Sequence, residues 1–226
     1  VLVWSGGIYD WFDPLTLIRA VAELSKQQPR VKLFFMGTAH PHPGVPEMPI
    51  IASARALAAE LGVADRHVFF NDSWVDYNQR QNFLLDADGG VSTHHSHIET
   101  TFSFRTRILD YLWASLPMVV TEGDHFAELV DSHGLGVTVP AGDVAALVEA
   151  LEKVLFDTSF RAAATASLTE VREQYRWAQV LTPLVDHVAE LNSGKIPQKA
   201  SRVRYSPARR RPPRFSVQDI GRGFSR

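Results

Sequence analysis

The segment between residues 94 and 105 holds the densest group of side chains that could do chemistry. It reads His-His-Ser-His-Ile-Glu-Thr-Thr-Phe-Ser-Phe-Arg. The guanidinium of Arg105 can bind a diphosphate through two parallel hydrogen bonds. The Ser103 hydroxyl and the amides of a helix that begins at Phe104 can bind a further phosphate oxygen. We therefore predict a sugar and phosphate site here; in the alternative interpretation Arg105 pairs with Glu99 and only fixes the loop.

The three histidines of this segment also raise the question of a metal site. His94, His95 and His97 do not have the i, i+4 spacing of two ligands on one helical face, nor another familiar ligand spacing. We predict that no metal is bound and that no cofactor is required.

Two further features could contact a nucleotide. Gly6 and Gly7 follow an apolar run, and glycines there allow backbone amides to approach a diphosphate, although a simple tight turn is the alternative. Their spacing is not the G-x-G-x-x-G of a nicotinamide-binding turn.

Asp110 lies in the helical pattern that follows the polar segment. Its carboxylate can accept hydrogen bonds from both ribose hydroxyls; an ordinary exposed helix acid is the alternative.

Short apolar runs alternate with helical patterns along the first 192 residues. Runs that do not alternate with polar residues indicate parallel strands covered on both faces. The fold class is therefore α/β, a doubly wound, Rossmann-like parallel sheet of about six strands, with C-terminal helices and a disordered tail. Ligands of such sheets bind at the carboxyl ends of the strands, where the glycine turn and the polar segment both lie. The predicted strands are 1–5, 31–36, 67–70, 88–93, 117–121 and 135–139, and the predicted helices are 14–24, 51–61, 80–84, 104–116, 124–132, 144–156, 159–175 and 177–192.

Local signals support several of these helices. Asp13 before Pro14 and Asp124 before an apolar face are predicted N-caps. In the helix predicted from Phe104 to Leu116, the inward residues are expected to be Ile108, Leu109, Leu112 and Trp113.

The charge divides the chain into an acidic folded domain, residues 1–194, and a basic tail, residues 195–226. The tail contains ten of the 23 Lys and Arg residues but one of the 25 acidic residues. It is rich in Pro and Arg and poor in aliphatic residues, so we predict that it is disordered. It is either a solvated extension or a peripheral contact with anionic lipid headgroups; nucleic acid is not an expected partner.

The composition excludes several classes of protein. The sequence has no cysteine, which excludes disulfides and thiolate metal sites. No apolar run approaches the roughly 20 residues that span a bilayer, and the first residues lack the basic start of a signal peptide. We expect a cytoplasmic protein, with peripheral contact at the inner face of the membrane as a further option through the tail.

Residues 87–92, 108–120 and 128–136 resemble three parts of the C-terminal, donor-binding domain of family 4 (group 1) glycosyltransferases, which have the GT-B fold. Ala87-Asp88 with Val91-Ser92 resembles the family's "AD…v.pS" strand. Residues 108–120, ILDYLWASLPMVV, resemble its "llEAmA.GlPvv" helix and strand, and residues 128–136, from Glu-Leu-Val to Gly-Leu-Gly, resemble its "E.v..g..G" segment. The resemblance extends from Val1 to about Leu155.

The resemblance implies roles for individual residues. Asp110 matches the second glutamate of the family's E-x7-E motif, which binds the nucleotide ribose. Phe102 stands where the first glutamate addresses the donor sugar, so nearby Glu99 is the candidate replacement. The family's Arg and Lys pair, which steadies the diphosphate, has no match near Gly6 and Gly7, and Arg105 is the candidate for that role.

In the loop after the third strand, residues 73–76 occupy the place where the family contacts the base. The resemblance therefore assigns Trp74 and Val75 to the nucleotide base.

The function implied by the resemblance is a retaining transfer of a sugar, of the hexosyltransferase type. The donor would be a UDP- or GDP-sugar and the acceptor a glycan or lipid-linked glycan, as in polysaccharide biosynthesis. This chain would be the donor-binding half, and an N-terminal GT-B domain would supply the acceptor site. The alternative is a non-catalytic nucleotide- or sugar-binding module, or a degenerate glycosyltransferase fragment.

Overall fold

A single parallel sheet organises the computed structural model, which describes residues 1–39, 42 and 44–193. Its strand order is β3-β2-β1-β4-β5-β6, and every neighbouring pair is parallel. This is the order of a doubly wound sheet, and it confirms the predicted fold class. The strands are β1 (Leu2–Gly7), β2 (Leu33–Gly37), β3 (Val68–Phe70), β4 (Gly89–Ser92), β5 (Met118–Thr121) and β6 (Gly136–Val139).

The strands contain no charged residue, and their polar residues are Ser or Thr, because both faces of the sheet are covered. In β1, Leu2 and Trp4 belong to one hydrophobic cluster and Val3 to a second, and each is at most 1% exposed. A central strand buried in this way has no solvent-facing position, which favours apolar residues along it.

Ten α-helices are present in the described part of the chain. Helices α1, α2 and α7 contribute to the first cluster, and α3, α5, α6 and α8 to the second. They are α1 (Pro14–Ser25), α2 (Pro49–Glu60), α3 (Arg80–Leu85), α4 (Ile98–Phe102), α5 (Arg107–Ala114), α6 (His125–His133), α7 (Val144–Phe156), α8 (Thr158–Val171), α9 (Trp177–Val180) and α10 (Thr182–Asn192).

The predicted N-caps are confirmed. An Asp13 carboxylate oxygen accepts a hydrogen bond from the Thr16 amide at 2.9 Å, and Pro14 opens α1. Asp124 accepts one from the Ala127 amide at 2.8 Å at the start of α6. Both caps fix the direction in which a helix leaves the carboxyl edge of the sheet.

Two predictions for residues 94–116 were wrong. The segment contains the short helix α4, and the next helix begins at Arg107 rather than Phe104, because Ser103 is in an extended conformation that ends α4. Trp113, predicted to point inward, is 52% exposed, whereas Tyr111 is fully buried. The inward face of α5 follows Ile108, Tyr111 and Leu112, an i, i+3, i+4 stripe that leaves position 113 outside.

Tyr111 fastens α5 to the two central strands. Its hydroxyl lies 3.1 Å from the Val3 carbonyl oxygen and 2.8 Å from that of Val91, and it accepts a hydrogen bond from the Ser5 amide at 3.2 Å. A Cβ atom on Gly90 would lie 2.7 Å from the Tyr111 ring. Glycine is therefore needed at position 90 so that the ring can lie flat on β4.

The sequence predicted one continuous helix over residues 177–192, and the structure shows two. Helix α9 ends at Val180 and α10 begins at Thr182. Pro183 accounts for the break, since proline lacks an amide donor and disfavours a helical conformation in the residue before it.

By its internal contacts the chain divides into two units, Val1–Val180 and Leu181 onward. The predicted basic tail, 195–226, lies outside the described residues. Within residues 1–39, 42 and 44–193, no helix has both the length and the apolar character needed to cross a membrane.

Candidate functional site

The candidate site lies at the carboxyl ends of β1 and β4, the adjacent strands between which the chain order reverses. The loops after these strands are hydrogen-bonded to each other: the Asp13 amide donates to the Thr93 carbonyl at 3.0 Å, and the Thr93 hydroxyl donates to the Asp13 carbonyl at 2.6 Å. The His94 amide donates to Thr121 Oγ1, at the end of β5, at 3.2 Å. The topology thus brings the two predicted loops into one site.

The glycine turn at the end of β1 requires its residue types. Gly6 has φ of +79°, in the left-handed region that favours glycine. A Cβ on Gly7 would lie 3.1 Å from the Tyr9 ring, which therefore packs on this glycine. Tyr9 stacks on Trp11 with 4.8 Å between ring centroids. The two loop aromatics pack on one another, and both remain more than a third exposed.

Arg105 contacts Glu99, as the alternative interpretation expected. Its Nη1 and Nη2 donate to the two carboxylate oxygens of Glu99 at 3.2 and 2.9 Å. Its Nε lies 3.7 Å from an Asp124 carboxylate oxygen, and its guanidinium lies 5.0 Å from the centroid of the Phe12 ring. The side chain is buried, and carboxylates on two sides balance its charge. A contact between Arg105 and a diphosphate remains a prediction.

The histidines of the segment have different environments. His94 is 1% exposed, with Nδ1 3.2 Å from the His95 carbonyl and Nε2 3.5 Å from Asp124. The His97 ring nitrogen Nδ1 accepts from the Glu99 amide at 3.2 Å and caps α4. In the part of the chain that is described, no three His, Cys, Asp or Glu side chains are grouped so as to hold a metal ion.

Arg107 is a site residue that our sequence reasoning missed. Its Nη2 donates to the Gly7 carbonyl at 2.9 Å, and its guanidinium lies 4.3 Å from the Trp4 ring and 4.2 Å from the Phe12 ring. Its Nη1 is buried and has no hydrogen bond. Burial lowers the pKa of this arginine to about 10. The sequence signal that could have identified Arg107 is its position one helical turn before Tyr111, on the inward face of α5.

Asp110 lies beside α3 and pairs with Arg80, with 3.0 Å between Arg80 Nη2 and Asp110 Oδ1. Burial raises the pKa of this carboxyl, while the charges of Arg80 and Arg107 oppose the rise. Arg80 also lies 4.6 Å from the Tyr77 ring centroid. Asp110 is thus a half-buried acid in a basic surrounding rather than an ordinary exposed helix acid.

The remaining predicted residues lie in loops along the same edge of the sheet. The Ser103 hydroxyl donates to the Thr100 carbonyl at 3.0 Å, and Phe104, 54% exposed, packs on Phe126 with 4.5 Å between centroids. Trp74 is exposed and Val75 is half-buried, in the loop after the edge strand β3. That strand is separated from β1 by β2, so this loop lies farther along the edge than the arginine cluster.

A family model described as "Glycosyl transferases group 1" matches residues 1–157, which include the glycine turn, the polar segment and Asp110. The chain belongs to this family. No curated protein matches the chain by sequence.

Solved structures of group 1 glycosyltransferases and related enzymes share the fold. The C-terminal domain of LpcC from Francisella tularensis, described as a glycosyl transferase group 1 family protein, has a TM-score of 0.63 and 16% identity, over 78% of this chain and 85% of that one. WaaG, a glycosyltransferase involved in lipopolysaccharide biosynthesis, has a TM-score of 0.61 and 20% identity, over 85% of this chain and 46% of WaaG. HepE from Anabaena, solved with UDP and glucose, has a TM-score of 0.65 and 17% identity, over 85% and 48%. The chain therefore matches a separately solved C-terminal domain over most of its length, and it spans about half the length of WaaG and HepE.

Proposed function

We propose that this chain is the donor-binding half of a retaining glycosyltransferase that uses a nucleoside-diphosphate sugar. The observation that carries the proposal is the pair of buried arginines beside a left-handed glycine turn at the switch point of the sheet, in a member of the group 1 family. This is the place where doubly wound sheets bind nucleotides. Family membership together with HepE, which was solved with UDP and glucose, supports the choice of ligand.

The diphosphate would lie against the glycine turn. The Gly6 and Gly7 amides, the Ser103 hydroxyl and the backbone at Phe104 are the proposed hydrogen-bond donors. Arg105 is a candidate for stabilising the leaving group, with Glu99 on the donor-sugar side. Preoriented donors of this kind contribute about 3–4 kcal/mol each to transition-state stabilisation in other enzymes.

The nucleoside would extend toward α3. The Asp110 carboxylate would accept hydrogen bonds from the ribose hydroxyls, and the loop of Trp74 and Val75 would contact the base. Arg80 keeps the carboxylate oriented through its 3.0 Å contact, and it opposes the rise in pKa that burial causes. The Asp110 carboxylate is thus held in place before the nucleotide binds.

The reaction breaks the bond between the anomeric carbon and a diphosphate oxygen and forms a bond from that carbon to an acceptor hydroxyl. The hydroxyl proton is released and the electron pair leaves with the nucleoside diphosphate. The chief task of this half is therefore to stabilise negative charge on the leaving group, and closure against another domain would exclude water.

The partners of this half follow from its size and family. Because the chain spans about half of WaaG and HepE, we propose that an N-terminal GT-B domain supplies the acceptor site for a glycan or lipid-linked acceptor. The donor would be a UDP- or GDP-hexose, without a further cofactor. We propose a cytoplasmic protein, in which the basic tail is either a solvated extension or a peripheral contact with the inner face of the membrane.

The test is calorimetric titration of the chain with UDP, GDP and their sugars, repeated on Asp110→Asn. This substitution keeps the size of the side chain but removes the charge that would accept from the ribose. We expect one nucleotide to bind and the substitution to weaken its binding roughly tenfold or more. Asp131→Asn, which changes an exposed acid of α6, is the control. Failure of both nucleotides to bind the unaltered chain at millimolar concentration would contradict the proposal.

A non-catalytic nucleotide-binding module is the second candidate, and one observation favours it. Phe102 stands where the family has its first glutamate, and it is 82% exposed, so no carboxylate acts from that position. Nucleotide binding without sugar transfer, measured on the chain joined to its other half, would select this candidate.

A further inference from the structure

Arg107 carries a buried charge that no carboxylate of the described residues balances by an ion pair. Arg105, two positions earlier, has Glu99 on both terminal nitrogens and Asp124 beside its Nε. Arg80 pairs with Asp110. Within residues 1–39, 42 and 44–193, no carboxylate oxygen comes within the 4.0 Å of an ion pair with the Arg107 guanidinium. Arg105 and Arg107 each have one buried nitrogen without a hydrogen bond, Nε in Arg105 and Nη1 in Arg107. They differ in ion pairing: Arg105 has carboxylates on two sides, and Arg107 has none within reach in the described residues.

The contacts that Arg107 does make stabilise it only in part. One nitrogen donates to the Gly7 carbonyl at 2.9 Å, and the faces of Trp4 and Phe12 attract the cation from 4.3 and 4.2 Å. Its Nη1 is buried without an acceptor, and burial lowers the pKa of the group to about 10. A buried donor and a buried charge both cost free energy until a partner arrives. An anion with a free oxygen would satisfy both at once.

The position of Arg107 indicates which part of a ligand would supply that anion. Arg107 is the first residue of α5 and is tied to Gly7, the last residue of β1. The Tyr9 ring packs on Gly7, and Gly6 adopts the left-handed conformation beside it. The guanidinium thus lies against the turn whose amides would approach a diphosphate.

We propose that Arg107 binds the diphosphate of the donor through its free Nη1, and that Arg105 positions the 94–105 segment through Glu99 and Asp124. The assignment rests on the proposed donor-binding function and gives Arg107 the contact that the sequence had assigned to Arg105. Because Nη1 is enclosed, the proposal requires the groups around it to move when the ligand binds, and the adjoining Gly6–Gly7 turn is the segment that we expect to move. Two consecutive glycines allow that movement without steric strain.

The test compares Arg107→Met with Arg161→Met. Methionine keeps an unbranched stem against the aromatic rings and removes the charge. Arg161→Met removes an equal charge from a side chain that pairs with Asp88, just before β4 and so at the opposite edge of the sheet. The ligands are UDP, UMP, GDP, GMP and inorganic pyrophosphate, titrated by calorimetry.

We expect Arg107→Met to lose roughly ten- to a hundredfold in affinity for pyrophosphate and for the nucleoside diphosphate that binds. The monophosphates should lose less, so the preference for diphosphate over monophosphate should collapse. Arg161→Met should keep that preference. Arg107→Lys, which retains the charge without the planar fork, should lie between the two.

A purely structural role for Arg107 predicts a different pattern. The melting temperature of unliganded Arg107→Met would then fall while the diphosphate preference survived, and that result would overturn the proposal. Our proposal predicts an unchanged or higher melting temperature, because an unbalanced buried charge is removed. If Arg107→Met does not fold, Arg107→Lys decides: full retention of the diphosphate preference also overturns the assignment.

The remaining outcomes separate this inference from the proposed function. Diphosphate preference that persists in Arg107→Met refutes the role of Arg107 and leaves nucleotide binding intact. Pyrophosphate binding that Arg107→Met abolishes, without any binding of UDP or GDP, supports the anion site and refutes the donor function. Absence of binding by all five ligands to the unaltered chain refutes both.

Discussion

Replacing Gly90 by alanine should destabilise the protein and disturb the candidate site together. The new Cβ would lie 2.7 to 2.8 Å from three ring atoms of Tyr111, well inside van der Waals contact. The ring cannot easily yield, because it is fully buried and its hydroxyl is held by backbone groups of β1 and β4. Either the ring moves and gives up hydrogen bonds, or β4 moves away from α5.

The magnitude follows from three effects. Overpacking of this kind costs about 1–3 kcal/mol, and the loss of one Tyr111 hydrogen bond costs about 1 kcal/mol more. Alanine reduces the conformational freedom of the unfolded chain, which offsets about 0.4–1 kcal/mol. The free energy of unfolding should therefore fall by about 1–3 kcal/mol. Because Tyr111 follows Asp110 directly and lies one helical turn after Arg107 on α5, movement of the ring should also weaken nucleotide binding.

The assay is urea denaturation of Gly90→Ala beside Gly89→Ala. A Cβ on Gly89 would meet one atom of Val154 at 2.9 Å, one of Leu2 at 3.2 Å and the Pro117 carbonyl oxygen at 3.4 Å. These contacts are less close than the three ring atoms that face Gly90, so the cost of Gly89→Ala should be smaller. In a Tyr111→Leu background the cost of Gly90→Ala should shrink, since the ring is gone. A loss below about 0.5 kcal/mol in the original background would refute the reasoning.

Three further predictions concern the acids of the site. Glu99→Gln should lower the free energy of unfolding by about 1–3 kcal/mol, because it takes the charged acceptor from buried Arg105; thermal melts compared with Glu122→Gln, an exposed acid, would show it. Asp124→Ala should cost about 1–2 kcal/mol through loss of the α6 cap, and more because it removes a carboxylate beside buried Arg105. Asp124→Asn, which can still cap but carries no charge, should recover the part of the loss that is due to the cap, measured by urea denaturation. Burial raises the pKa of Asp110 above its ordinary value of 3.8, so its ionisation in the folded state lowers stability as pH rises through that range. Asp110→Asn should therefore be at least as stable as the unaltered chain at pH 7. Nucleotide binding to the unaltered chain should strengthen as the pH rises through the raised pKa of Asp110. A binding affinity that does not change from pH 4 to 7 would contradict this role of the carboxylate.

The architecture was accessible from the sequence because its signals are local and repeated. Runs such as 31–36 would expose apolar side chains to water if one face of the sheet were uncovered. Asp13-Pro14 is a local signal for the start of a helix. The order of these signals also placed the glycine turn and the polar segment at one edge of the sheet. The resemblance to group 1 glycosyltransferases rested on the same local patterns, and the family match confirmed it.

The errors arose where a residue depends on a partner distant in the sequence. Trp113 and Tyr111 are both large and amphipathic, and helical periodicity alone did not show which would be buried. Tyr111 is inside because Gly90, on a strand paired to β1, leaves room for its ring. The single helix assumed across Leu181 shows a smaller error, in which the local effect of Pro183 was overlooked.

By itself, the sequence determined the doubly wound fold, the family and the loops that meet at the switch point, since each follows from local patterns along the chain. Only the tertiary structure decided how the charges within those loops are balanced. Arg105 and Arg107 are two positions apart in the same stretch of sequence, yet Arg105 is paired with Glu99 and Asp124. Arg107 instead lies against the rings of Trp4 and Phe12, without an ion pair among the described residues. The physical reason is that burial and ion pairing are set by side chains that the fold brings together from different strands and loops, and the spacing along the chain does not specify them.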